Sequence, residues 1–194
     1  MKKLLATMLA IAGATLISLP SLRADDTAAA AAPESAPAPA PSYHASITKL
    51  LANGKDVISV TGKLDPAIIS TKKYLFIYQS AHWCPPCRAF TPKLVAFYNK
   101  NYSKGDFELI FVSSDRSQSE MNSYMKGEKM PWFGLKQGGK AATALEKKFQ
   151  VSGIPSLTLV DENDKVIAHS YDSKGNYLGP ATALTAYMKL HPAQ

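Results

Sequence analysis

Sulfur is scarce in this chain, whose 194 residues include two cysteines, Cys84 and Cys87. A bridge between residues three apart would close almost no loop, and disulfide stabilisation grows with the loop closed. That excludes a disulfide-stapled scaffold. Histidine is nearly as rare, at four. His44, His169 and His191 lack ligand-like spacing, and a closed zinc site needs four ligands. No internal repeat is present, which excludes solenoids and arrays. There is no dense Lys/Arg run either, so the clustered footprint of a nucleic-acid binder is missing. The one long apolar stretch, Leu4 to Leu19, is broken by Thr7, Gly13, Thr15 and Ser18. It is shorter and more polar than the ~20 residues a membrane span requires.

Lys2 and Lys3 precede that stretch, and Pro20, "SLRA" and an acidic pair follow it. A basic start, an apolar run and a small-residue stop read as a secretory signal peptide, residues 1–24, cut after Ala24. Leu22 is large for its place before the cut, so an uncleaved anchor is the alternative. No cysteine lies near the cut, which excludes lipid attachment there. Cleavage would remove three cations and no acid, lowering the formal charge from +7 to +4. Residues 25–42, "DDTAAAAAPESAPAPAPS", alternate Ala and Pro and cannot build a core. They read as an extended spacer, either a tether or a leader with no task. Residues 43–194 are enough for one well-buried domain.

Within it, "KDVISVTG" (55–62) predicts a short strand, and "KYLFIYQS" (73–80) a strand buried on both faces. In "PCRAFTPKLVAFYNKNY" (86–102), Phe90, Leu94, Val95, Phe97 and Tyr98 recur at helical spacing, with Pro92 expected to kink the helix. "DFELIFVSS" (106–114) predicts a second buried strand. "SQSEMNSYMKG" (117–127) predicts a helix with Ser117 and Glu120 as a capping box. "KAATALEKKFQV" (140–151) predicts another helix, "SLTLVDENDKVIAHS" (156–170) a hairpin, and "PATALTAYMKL" (180–190) a closing helix. This order predicts an α/β domain, a central mixed sheet with helices on both faces.

The two cysteines fall where the strand ending at Ser80 hands over to the helix. At that mouth, unpaired N–H groups and the helix dipole favour negative charge. A thiolate is the reactive form of cysteine, so Cys84 is predicted to ionise below the ordinary ~8.5. Cys87 lies one turn later on the same face, within reach of a disulfide's Cα separation of about 5–6 Å. Pro85 and Pro86 cost the first turn no hydrogen bond, and they remove two N–H groups near the sulfur. Such a pair predicts thiol–disulfide exchange, with Cys84 attacking and Cys87 resolving. A Cu(I)-binding module is the alternative, because soft metals favour thiolates.

"SAHWCPPCRAFTPKL", "FELIFVSSD", "KMPWFGL" and "FQVSGIPSLTLVD" resemble segments of the thioredoxin superfamily, in particular its tryparedoxin and nucleoredoxin branch, over most of residues 74–161. WCPPC also occurs in exported thioredoxin-like reductases. The resemblance implies a thioredoxin-like fold and a cis Ile154–Pro155 bond facing the cysteines, with the Ile154 backbone aligning the substrate. Trp83, beside the nucleophile, reads as a substrate-facing lid, with Pro85 and Pro86 shaping the loop; the resemblance places Trp132 in the same groove, with a core position as the alternative. The resemblance favours reduction of protein disulfides, with oxidation or isomerisation as the alternative direction. No cofactor beyond the Cys84–Cys87 disulfide is expected, nor a metal. The expected setting is a bacterial periplasm, the expected state a monomer without nucleic acid, and the expected source of electrons a membrane donor. Two departures stand out. Tyr78 occupies the place of the superfamily's buried acid, leaving Glu108 as a candidate proton acceptor for Cys87, and His82 replaces a small residue.

Overall fold

The two near-continuous apolar runs become the central strands of the computed structural model, which describes residues 42–62 and 65–192. The signal-peptide reading, and all of the spacer reading except Ser42, lie outside the described residues. Strands β2 (Tyr74–Ser80) and β3 (Phe107–Ser113) are buried at every position. They pair in parallel from Tyr74↔Phe107 to Ser80↔Ser113. Parallel pairing demands a crossover, and α2 (Pro85–Asn101) supplies it, running through Pro92 without interruption. Elements α1 (Ala45–Leu51), β1 (Val57–Ile58), α3 (Gln118–Gly127), β4 (Phe133–Leu135), α4 (Lys140–Lys148), β5 (Ser156–Val160), β6 (Val166–Ala168) and α5 (Ala181–Leu190) complete the domain. The six-stranded sheet has the order β1-β4-β3-β2-β5-β6. Its β1/β4, β2/β5 and β5/β6 pairs are antiparallel, so the sheet is mixed.

Helices cover both faces, as the element order predicts. On one, Leu94 and Tyr98 of α2, Met121 and Tyr124 of α3, and Tyr187 of α5 pack with Phe76, Tyr78, Phe107 and Phe111. On the other, Ile47 and Leu51 of α1 and Leu145 of α4 pack with Leu75, Ile77, Ile110 and Val112. The strand expected over 55–62 shrinks to Val57–Ile58, because β4 offers it two partners, Leu135 and Gly134. Ser117 caps α3 by accepting the Glu120 N–H at 3.2 Å, while the Glu120 carboxylate reaches past the cap to the Arg116 N–H at 2.9 Å. Among the described residues no helix is long and apolar enough to cross a membrane.

Both ends of the described chain are fastened at the pole where β2 begins. Tyr43 N–H donates to the Ser70 carbonyl at 2.8 Å, and buried His44 pairs through Nδ1 with Asp164 at 2.8 Å in the β5–β6 turn. Ser46 and Lys148 donate to the other Asp164 oxygen. Near the C-terminal end, Asp106 accepts from Tyr187 at 2.6 Å and pairs with His191. Burial pushes the Asp164 carboxyl up, but hydrogen bonds from His44, Ser46 and Lys148 outweigh it and hold the group at about 2, below the ordinary 3.8. A depressed carboxylate stabilises the fold above its unfolded value, and the contribution disappears as pH falls through the folded value. Asp164→Ala is therefore expected to cost about 1–2 kcal/mol at neutral pH, a figure reduced for the solvent around Lys148. The deficit should fade near pH 2; urea titrations of both proteins at the two pH values test this.

Candidate active site

At the other pole, β2 ends at Ser80 and three residues lead into Cys84, the N-cap of α2. An N-cap has extended backbone and offers its side chain to the orphan N–H groups of the first turn. Cys84 does so with sulfur, at φ −94° and ψ 108°. Pro85 and Pro86, both exposed, hold the first two helical positions and have no N–H to offer. The first amide the helix presents is thus that of Cys87, which donates to Cys84 Sγ at 3.3 Å. The two cysteines are joined in a disulfide with Cα atoms 5.2 Å apart. They are not equivalent: Cys84 is 4 % exposed at the rim, and Cys87 is sealed at 0 %.

The other residues expected at the site gather around this pair. Trp83 is half-exposed, and its indole N–H donates to the Ser114 carbonyl at 3.0 Å, fixing the ring across the rim. The Ile154–Pro155 bond is cis, as the resemblance implies. The Ile154 carbonyl oxygen lies 3.7 Å from Cys84 Sγ, and Ile154 packs on Ala81 and the two cysteines. His82 is exposed; its backbone N–H donates to buried Asp115 at 2.8 Å, and the other Asp115 oxygen accepts from Ser113 at 2.8 Å. That carboxylate braces the loop that carries the cysteines.

Beneath Cys87 lies a knot of hydroxyls. Thr91, one turn along α2, donates to the Cys87 carbonyl at 2.9 Å. With its single proton spent, Thr91 Oγ1 accepts from the hydroxyls of Tyr78 at 2.8 Å and Tyr124 at 2.5 Å. Ser80 then donates to Tyr124 at 3.2 Å. All four side chains are buried. Burial first, and then the neighbouring Tyr124 hydroxyl, push the Tyr78 phenol far above its ordinary range. Tyr78 therefore stays protonated and is no base, although it occupies the acid's place.

Glu108 does not replace that acid. It pairs in register with Leu75, near the start of β2, whereas Ser113 at the cysteine end lies five residues further along β3. At about 3.3 Å per residue that is roughly 16 Å of strand. Its carboxylate instead accepts from Tyr98 at 2.8 Å, Tyr102 at 3.0 Å and the Leu109 N–H at 2.9 Å. Trp132 is core: it is fully buried against Tyr98, with ring centroids 5.3 Å apart, and does not line the groove. Among the described residues no group of three His, Cys, Asp or Glu side chains is placed to hold a metal.

Residues 72–166 match the family described as thioredoxin-like. Tryparedoxin of Trypanosoma brucei brucei is 34% identical over 122 residues, covering 62% of this chain and 83% of that protein. The chain belongs to the thioredoxin-like family. Probable nucleoredoxin 1 of Arabidopsis thaliana is 39% identical over 140 residues, covering 66% of this chain and 24% of that protein. The chain thus spans about a quarter of the length of that nucleoredoxin. Among solved structures, a tryparedoxin II complexed with glutathionylspermidine superposes with a TM-score of 0.53 at 32% identity, covering 63% of this chain and 85% of its own. The mixed sheet with helices on both faces is the thioredoxin-like fold that the sequence predicts.

Sequence reasoning missed four residues of this thioredoxin-like site: Thr91, Ser114, Tyr124 and Asp115. Thr91 had a usable signal, since a hydroxyl four residues after Cys87 must share its helix face. Ser114 acts through its main chain, and Tyr124 and Asp115 arrive by tertiary contact from beyond β3. Thr91→Val would leave two buried tyrosine hydroxyls without their acceptor. It is expected to destabilise by about 2–3 kcal/mol, read as a lower urea midpoint with an unchanged slope. Glu108→Gln, by contrast, should leave the pH profile of any disulfide exchange unaltered. Burial first raises the Glu108 carboxyl above the ordinary range, so its ionised form costs stability as pH rises through that raised value. Glu108→Gln should accordingly flatten the fall in stability on the alkaline side of the ordinary carboxylate range, as denaturant titrations at stepped pH would record.

Proposed function

We propose that this protein is an exported thiol–disulfide oxidoreductase that reduces protein disulfides through Cys84 and Cys87. The observation that carries the reading is the pairing of a rim sulfur, held by the first free N–H of a helix, with a sealed sulfur in bonding range beneath it. In the reduced protein the same N–H and the helix dipole favour the Cys84 thiolate. That thiolate attacks one sulfur of a substrate disulfide, forming a mixed disulfide and expelling the other substrate sulfur as a thiolate. Cys87 then attacks Cys84 Sγ, the Cys84–Cys87 bond forms, and the second substrate sulfur departs. Two electrons pass from the dithiol to the substrate. The proton that Cys87 gives up goes to a departing substrate sulfur, since neither Tyr78 nor Glu108 can take it. Substrate lies along the Ile154 backbone, beside Trp83 and over Pro85 and Pro86.

Tryparedoxin and nucleoredoxin relatives support the redox class, and the tryparedoxin II complex adds small thiol conjugates to polypeptides as substrates to test. Residues 1–24 support export, and a periplasmic reductant needs recharging by a dithiol donor, here taken to be membrane-bound. The test is reduction of insulin by the dithiothreitol-charged chain. Cys84→Ser should fall to the background rate, and Cys87→Ser should accumulate a mixed disulfide visible by mass. A couple equilibrating near thioredoxin's ~−270 mV agrees with a reductant, and one near ~−120 mV would reverse the direction.

A further inference from the structure

We propose that Tyr171 and Tyr177 are positioning residues that fix the Gly153–Pro155 segment for a polypeptide substrate, and so set a preference for polypeptide over small disulfides. The inference rests on the function proposed above. After β6 the chain does not leave the sheet. Ser170 Oγ accepts from the Leu157 N–H at 2.8 Å and donates to its carbonyl at 3.2 Å, carrying the pairing one step past the strand. Leu178 N–H returns to the Ser170 carbonyl at 2.8 Å, and Tyr171 and Tyr177 form an antiparallel bridge. The turn between them is organised by Asp172, whose carboxylate accepts from the N–H groups of Lys174 and Asn176 and from the Asn176 amide, at 2.8–2.9 Å. This excursion is therefore a built hairpin.

Its two tyrosines point their hydroxyls at the cysteine-facing loop. Tyr171 donates to the Gly153 carbonyl at 3.0 Å, and Tyr177 to the Pro155 carbonyl at 2.8 Å. Their rings are 5.1 Å apart. Tyr177 is 51% exposed, so burial does not oblige its hydroxyl to find a protein partner. The fit is close: a Cβ added at Gly153 would stand 3.1 Å from the Tyr171 hydroxyl. The carbonyls on either side of Ile154 are thus occupied. Among the described residues the Ile154 N–H has no hydrogen-bond partner, and its carbonyl faces Cys84 Sγ. One residue's donor and acceptor remain on offer, the arrangement that exchanges both bonds with one residue of an extended chain. A polypeptide disulfide has the matching amide and carbonyl, and a small alkyl disulfide has neither. Exposed Trp83, next to Cys84, gives the polypeptide's neighbouring side chains apolar surface.

The test uses the full chain, reduced and freed of reductant, mixed with insulin or with hydroxyethyl disulfide while tryptophan fluorescence reports oxidation. In the double variant Tyr171→Phe with Tyr177→Phe, the half-saturating insulin concentration should rise about tenfold while the maximal rate holds within about twofold. The ratio of efficiencies, insulin over hydroxyethyl disulfide, should fall about tenfold. Asp172→Ala should move both readouts the same way. Should the double variant fail to fold, Tyr177→Phe alone, at a half-exposed ring, is expected to shift the ratio about threefold. An unchanged ratio, or equal slowing with both disulfides, overturns the proposal. If the unaltered protein is oxidised by neither disulfide, the reductase reading falls and the tyrosine role with it. If it is oxidised by both and the variants match it, the tyrosine role alone falls.

Discussion

A helix that opens with two prolines has a single early amide left to give, and in this protein that amide meets Cys84 sulfur. The rest of the domain serves to keep that meeting in place. The burial of β2 on both faces fixes where the chain emerges from the sheet, and Leu94 and Tyr98 seat α2 on that sheet so that its mouth opens beside Ser80. Asp115 holds the intervening loop through the His82 amide, and the Trp83 indole is tied to Ser114. None of these contacts touches a reacting bond. Together they decide which sulfur is at the rim and which is enclosed.

The knot under Cys87 shows what becomes of a buried acid's position when no acid occupies it. A carboxylate there would bring desolvation cost and a titration of its own. The four hydroxyls bring neither, provided each proton has an acceptor, and donor counting shows that each does. The chain of donors runs from Ser80 through Tyr124 to Thr91, with Tyr78 joining, and ends on the Cys87 carbonyl. The inner cysteine is therefore steadied through its backbone, while its sulfur is left without a dedicated base among these residues. The nearest buried acid, Asp115, is spent on the His82 N–H and Ser113, and Glu108, between Tyr98 and Tyr102, stands at the distant end of the same strands.

Much of this was legible in residue order. Apolar runs at 73–80 and 106–114 read as buried strands because burial on both faces leaves no room for alternation. The cysteine site was legible because its chemistry is local: an N-cap, two prolines and a one-turn separation. Glu108 misled because its acidity is visible in the sequence, while its register opposite Leu75, away from the cysteine end of β2, is not. Trp132 stayed open because aromatic residues serve rims and cores alike, and only the packing of Tyr98 decides. The strand at 55–62 was overread, since its β-branched residues promise pairing that a three-residue β4 cannot supply. Tyr124, Tyr171 and Tyr177 were hidden for a common reason. Their hydroxyls matter only through partners brought close by the fold.

The fastening of Tyr43 and His44 beside the β5–β6 turn has a geometric consequence. Val160 pairs with Leu75 near the start of β2, whereas Cys84 follows the strand's far end. Tyr43 and His44 are therefore anchored about 16 Å of strand from the end of β2 that leads to the disulfide. A substitution at Tyr43 or His44 therefore acts on the fold from the pole opposite the sulfurs, and reaches the exchange chemistry only through the sheet between them.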